Sequence, residues 1–88
     1  MKRKDNSILK KIGNKYMILP FSDHNISIDV ILNTNEVGAF IYNALDNDIT
    51  KEELLNMILE EYEVDERIAK RDLESFLFKM HEKGLLDD

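Results

Sequence analysis

The sequence predicts an α+β domain in which a three-stranded antiparallel sheet is followed by three helices. Three observations carry this. Up to Leu32 the apolar residues come in short runs with a period near two; from Val37 onward they recur at helical spacing; and helix-capping residues stand at each change of pattern. With 88 residues the chain is one domain with a modest core, because a domain of this size buries only about 60–65% of its unfolded surface. A single proline, three glycines and 43% hydrophobic residues belong to a folded chain, without repeat, linker or low-complexity stretch. Residues 1–6 are expected to be flexible.

The first two strands are expected near Ile8 to Ile12 and Lys15 to Leu19, joined by a Gly13-Asn14 turn. Pro20 should keep a central strand from continuing, and Ser22 to Asn25 has turn composition. A third strand is expected from Ile26 to Leu32. Ile26, Ile28, Val30 and Leu32 fall on one face, with Ser27, Asp29 and the unexplained apolar Ile31 on the other.

Asn33, Thr34 and Asn35 all favour helix N-caps, and Asn33 with Glu36 makes a pair resembling a capping box. Val37, Phe40, Ile41, Ala44 and Leu45 form the apolar stripe of the first helix, which Asp46-Asn47-Asp48 ends. Thr50 with Glu53 is a second capping box, flanked by Ile49 and Leu54 at staple positions, so a helix starts at Lys51. Its buried face is Leu54, Leu55, Ile58, Leu59 and Tyr62. Asp65 should cap a last helix from Glu66 to about Lys83, closed by Gly84 at the C′ position with Leu85 and Leu86 folding back. Ile68, Leu73, Phe76, Leu77 and Met80 exceed one narrow stripe; Phe76 and Leu77 point about 100° apart, so one of them is expected to serve a second surface.

Charge and composition exclude several functions. The chain has no cysteine, which removes disulfides, thiolate nucleophiles and cysteine-bound metals. Its formal net charge is −6, which argues against a nucleic-acid partner, since phosphate binding needs a basic surface. The basic residues are uneven: the N-terminal segment is positive, and the middle, with EEL and EEYEVDE, is strongly negative. No run approaches the ~18 apolar residues of a membrane span and no signal-peptide core is present, so no membrane association and a cytoplasmic location are expected.

The residues for catalysis are missing as well. His24 and His81 have no histidine at ligand spacing; the carboxylates Glu60, Glu61, Glu63, Asp65 and Glu66 lack the pattern of a calcium loop; Ser7, Ser22, Ser27 and Ser75 sit in no nucleophile elbow. The expectation is a protein that is not an enzyme and holds no cofactor or metal. A small acidic carrier protein would need an Asp-Ser pair at a helix start, and none occurs. A DNA-binding winged helix fits the order of elements, yet the middle helix, KEELLNMILEEYE, would be repelled by phosphates.

The segments NEVGAFIYNALD (from Asn35), TKEELLNMILEEYEVDE (from Thr50) and DLESFLFKMHEKGLL (from Asp72) resemble the PqqD family of peptide chaperones, also called RiPP precursor peptide recognition elements. The features that match are Asn35-Glu36, Ile41-Tyr42, Leu45-Asp46, the Thr50 to Leu54 helix start, the Asp72 to Leu77 pattern and the closing Gly84-Leu85-Leu86. The resemblance runs from the hairpin to Leu86. It implies a winged-helix-like fold in which the leader of a ribosomally made precursor peptide adds to the sheet as an extra strand, beside the third strand and over the last helix.

On that geometry the main chain of Ser27, Ile28, Asp29, Val30, Ile31 and Leu32 is expected to pair with the leader, with Ile31 lining the groove. Asp72, Phe76, Lys79, Met80 and Lys83 follow one track along the last helix, giving an apolar floor flanked by charges. Phe76 and Met80 would take apolar leader side chains and Lys79 and Lys83 would meet leader carboxylates; the plain alternatives are core for the first pair and solvated lysines for the second. Asn35 and Glu36 are assigned to capping. The resemblance further implies a modifying enzyme as partner, a radical SAM maturase or a leader peptidase, to which the bound precursor is delivered. The free strand edge also offers two copies a way to pair as a homodimer. The alternative is a winged-helix transcription regulator or a protein-interaction domain that binds no leader.

Overall fold

The computed structural model describes residues 1–22, 25–26 and 31–87. Among the described residues six strands and three helices follow in the order β1 (Lys2–Arg3), β2 (Ser7–Ile12), β3 (Lys15–Ser22), β4 (Asn25–Ile26), β5 (Leu32–Thr34), α1 (Glu36–Ala44), α2 (Lys51–Glu61), α3 (Glu66–Glu82) and β6 (Leu86–Asp87). β2 and β3 form the expected hairpin, in register from Ser7 opposite Pro20 to Ile12 opposite Lys15. Gly13 holds the tight turn at φ +64°, a backbone region open to glycine at no steric cost. β4 and β5 both pair with β3 on the edge away from β2, so the sheet is antiparallel with three strand positions.

Pro20 does not end β3, contrary to expectation. The Phe21 amide donates to the Asn6 carbonyl at 2.9 Å, which sets the phase: Phe21, Leu19 and Met17 turn their main-chain groups to β2, and Pro20, Ile18 and Tyr16 turn theirs to the opposite edge. The amide hydrogen that Pro20 lacks therefore belongs to the edge where pairing passes from β5 to β4, and the β2 ladder loses nothing. At that same point the register changes. Between Ile18 opposite Leu32 and Phe21 opposite Ile26, β3 spends only Leu19 and Pro20, while the chain beside it carries residues 27–31. β4 and β5 thus belong to two registers, where one continuous strand from Ile26 to Leu32 was expected.

The N-cap of α1 is Asn35, whose Oδ1 accepts the Gly38 amide at 2.9 Å. The expected Asn33–Glu36 pair is not formed because Asn33 is still in β5, opposite Met17. The cap of α2 is as expected: Thr50 Oγ1 accepts the Glu53 amide and Glu53 Oε1 accepts the Thr50 amide, both at 3.1 Å. Accepting that amide holds the Glu53 carboxyl below the usual carboxylate range. Asp65 caps α3 by accepting the Arg67 amide at 2.8 Å. Past Glu82, Leu85 donates to the Met80 carbonyl and Gly84 to that of His81, with Gly84 at φ +70°; this Schellman closure turns the chain back.

The core lies between the inner face of the sheet and the helices. Ile18, Ile41, Leu45, Leu54, Leu73 and Met80 are fully enclosed, each contributing on the order of 1.5–3 kcal/mol by leaving water. Phe76 and Leu77 are both buried, Phe76 beside Gly38 of α1 and Leu77 on the side of Met1 and Phe78; Ile68, expected in the stripe, is exposed at 42%. α3 is contacted from α2, α1 and β6, and its buried arc is wide for that reason.

Residues 1–6, expected to be flexible, are tied down by main-chain bonds. β1 pairs with β6, Lys2 opposite Asp87 and Arg3 opposite Leu86. The Arg3 amide donates to Leu45 and the Ile49 amide to Met1. The Arg3 guanidinium lies 4.5 Å over the Tyr42 ring and 3.1 Å from the Asp46 carboxylate. Tyr42 in turn shares a buried hydrogen bond of 2.9 Å with Ser7, which ties α1 to β2.

Candidate functional site

The phase of β3 decides which groups the sheet leaves open. Leu32 and Thr34 turn their main chain to Ile18 and Tyr16, so the N–H and C=O of Asn33 point away from β3, and among the described residues no strand covers that side. Unpaired main-chain groups in this position are a template for a further strand. The helices meet this edge at one crowded point. Gly38 of α1 sits so close to Thr34 of β5 that an added Cβ would overlap its side chain, and the same Cβ would lie 3.2 Å from Phe76 Cε1 of α3. A residue without a side chain lets α1, β5 and α3 come together there.

The structure places the predicted contacts unevenly. Ser27, Ile28, Asp29 and Val30 lie outside the described residues. Ile31 is half-buried just ahead of β5, and Leu32 is buried inside it. Along α3, Asp72 and Lys79 are exposed and Lys83 is half-buried at the C-cap, while Phe76 is 7% exposed and Met80 fully enclosed. Met80 is thus part of the core, the plain alternative for that position. Asp72 Oδ1 stands 3.7 Å from Arg71 Nε.

The opposite side of α3 carries features not anticipated from sequence. Phe78 is 63% exposed and borders an open groove of about 270 Å³ with Met1, Lys51, Glu74, Leu77 and His81. A second groove of about 360 Å³ lies between α2 and α3, lined by Lys51, Glu52, Leu55, Lys70 and Leu73. The Lys51–Glu74 ion pair at 3.5 Å joins residues of both. Phe78 falls off the apolar stripe, which was the one available signal. Among the described residues no three potential metal ligands cluster, and no helix is long and apolar enough to cross a membrane.

A small α+β domain of winged-helix type, with an open strand beside its last helix, is the class that fold and edge define. The chain belongs to the PqqD family, described as coenzyme PQQ synthesis protein D, which matches residues 25–86. Among solved structures it is similar to "TbiB1 in Complex with the TbiA(beta) Leader Peptide", with 28% identity and a TM-score of 0.72 over 99% of this chain and 95% of that one. No match was found among curated proteins.

Proposed function

We propose that this protein binds the leader segment of a ribosomally synthesised precursor peptide by strand addition and delivers it to a modifying enzyme, itself contributing no catalytic step. The observation that carries the reading is the likeness, over nearly all of both chains, to TbiB1, a protein solved with a leader peptide bound. The outward main chain of Asn33 supports strand addition at the β5 edge, where hydrogen bonds to the backbone would supply affinity and side-chain contacts the register. Main-chain pairing of the leader with Ser27 to Ile31 belongs to the same reading, with Ile31, Asp72, Phe76, Lys79 and Lys83 as the bordering side chains; Leu32, expected to take part, turns its main chain to Ile18 of β3 instead. Holding the leader raises the effective concentration of the attached core segment at the enzyme, a radical SAM maturase or a leader peptidase, so a protein without chemistry can raise a rate.

The test is a fluorescence-anisotropy titration with the labelled leader encoded by the nearest short open reading frame, with labelled duplex DNA alongside. Saturable leader binding with a flat DNA trace is expected. Asn33→Pro removes an outward amide without touching the β3 pairing, and Ile31→Pro alters the backbone just ahead of it; both should weaken leader binding at least about tenfold, the loss of roughly one charge-neutral hydrogen bond plus register. Leader affinity unchanged in both variants would sink strand addition at this edge.

A further inference from the structure

The outer face of the sheet, turned away from the helices, is apolar and basic in an acidic protein. Alternation puts Ser7, Leu9, Ile18 and Leu32 inward, so Ile8, Lys10 and Ile12 of β2 and Lys15, Met17, Leu19 and Phe21 of β3 share the outer face. Cross-strand pairs make it continuous: Ile8 opposite Leu19, Lys10 opposite Met17 and Ile12 opposite Lys15. Ile8 and Ile12 are 46% and 55% exposed, whereas Met17, Leu19 and Phe21 are half-buried beside them. From Ser7 to Phe21 the chain has three lysines and no aspartate or glutamate, although the whole protein carries −6.

We propose that this face, centred on Ile8, Ile12 and Leu19 with Lys10 and Lys15, docks the modifying enzyme through an apolar patch on that enzyme rimmed by carboxylates. The inference rests on the delivery reading above and adds the surface and its chemistry. Charge selects the occupant. A second copy stacked face to face would bring Lys10 and Lys15 of both copies together, whereas an acidic-rimmed protein surface complements both the lysines and the apolar centre. Geometry agrees, because a partner on the outer face leaves the outward main chain of Asn33 open, so enzyme and leader can be held at once. The exposed Phe78 on α3 is a weaker candidate, a single aromatic between Leu77 and Lys79 without a comparable surrounding face.

The test uses the purified maturation enzyme encoded beside the gene and the leader from the adjacent short open reading frame, with the full-length protein. Enzyme affinity is read by sedimentation and leader affinity by anisotropy. Ile12→Glu and the double variant Lys10→Glu/Lys15→Glu should each weaken enzyme binding by about tenfold or more while leaving leader affinity within about twofold. The lysine variant alters exposed side chains only, so it reports even where Ile12→Glu perturbs the hairpin. Enzyme binding unchanged by either face variant overturns the proposal, as do absence of enzyme binding, dimerisation abolished by Ile12→Glu, or face-dependent binding to phosphatidylserine vesicles. Enzyme binding that depends on the face while no leader binds would leave the docking surface standing and remove the leader reading instead.

Discussion

The two faces of the sheet use the same alternating pattern for opposite ends. On the inner face Ile18 and Leu32 are sealed against the helices, and the polar side chain of Ser7 is buried there in a hydrogen bond with Tyr42. On the outer face, isoleucines of the same hydrophobicity remain open to water, with lysines between them. Period two tells which residues share a face, but not what covers it. Equal side chains therefore differ in consequence: Ile18→Ala should cost about 2–5 kcal/mol, a large share of the ~5–15 kcal/mol that holds a domain together. Ile12→Ala should stay within about 0.5 kcal/mol. Urea melts of both variants make the comparison, and an equal loss in the two would mean that the outer face is covered in the free protein.

The rim where the inner face meets the helices should be nearly as sensitive. Gly38→Ala drives a methyl group into the Thr34 side chain and toward Phe76, so a loss of about 1–3 kcal/mol is expected from overpacking. Because β5 carries the proposed leader edge, leader affinity should fall along with stability. A variant that melted like the parent would show that Thr34 moves aside freely. Tyr42→Phe probes the polar contact of the same face. It leaves the Ser7 hydroxyl buried without a partner, at about 1–3 kcal/mol; the double change with Ser7→Ala should recover part of that loss, which a double-mutant cycle measures.

Much of this was legible in the sequence, and the misses share a cause. Side-chain periodicity identified the hairpin, the stripe of α2 and the caps Thr50 and Asp65, because each depends on local side-chain chemistry; in α1 it found Ile41 and Leu45, but the enclosed face runs through Gly38, Ala39 and Tyr42 while Val37, Phe40 and Ala44 stay half-buried. The pairing of β1 with β6, the passage of β3 through Pro20 and the choice of Asn35 over Asn33 as cap all depend on where main-chain groups find partners far along the chain. Two-residue strands have no periodicity to read. At the candidate site, spacing alone could not tell whether Phe76 and Met80 of α3 form a groove floor or core, and Met80 is core. Ile8, Ile12 and Phe78 were visible as apolar residues; their exposure follows only from the assembled layers.

A modest and purely local effect is expected away from both faces, at the start of α2, and it serves as the control. Thr50→Ala removes a side-chain acceptor from the Glu53 amide and should cost about 1 kcal/mol. It leaves the inner and outer faces intact, so leader and enzyme affinities should be unchanged. Its partner adds a pH signature. Because the Thr50 amide holds the Glu53 carboxyl below its usual range, the ionised form is favoured by folding. That contribution is present above the ordinary carboxylate pKa and is lost as pH falls through the lowered folded value. Glu53→Gln should therefore melt lower than the parent at neutral pH, with the difference shrinking on acidification until the two curves meet. A difference that persisted into strong acid would mean that the hydrogen bond does not depend on the charge, and that the cap works through geometry alone.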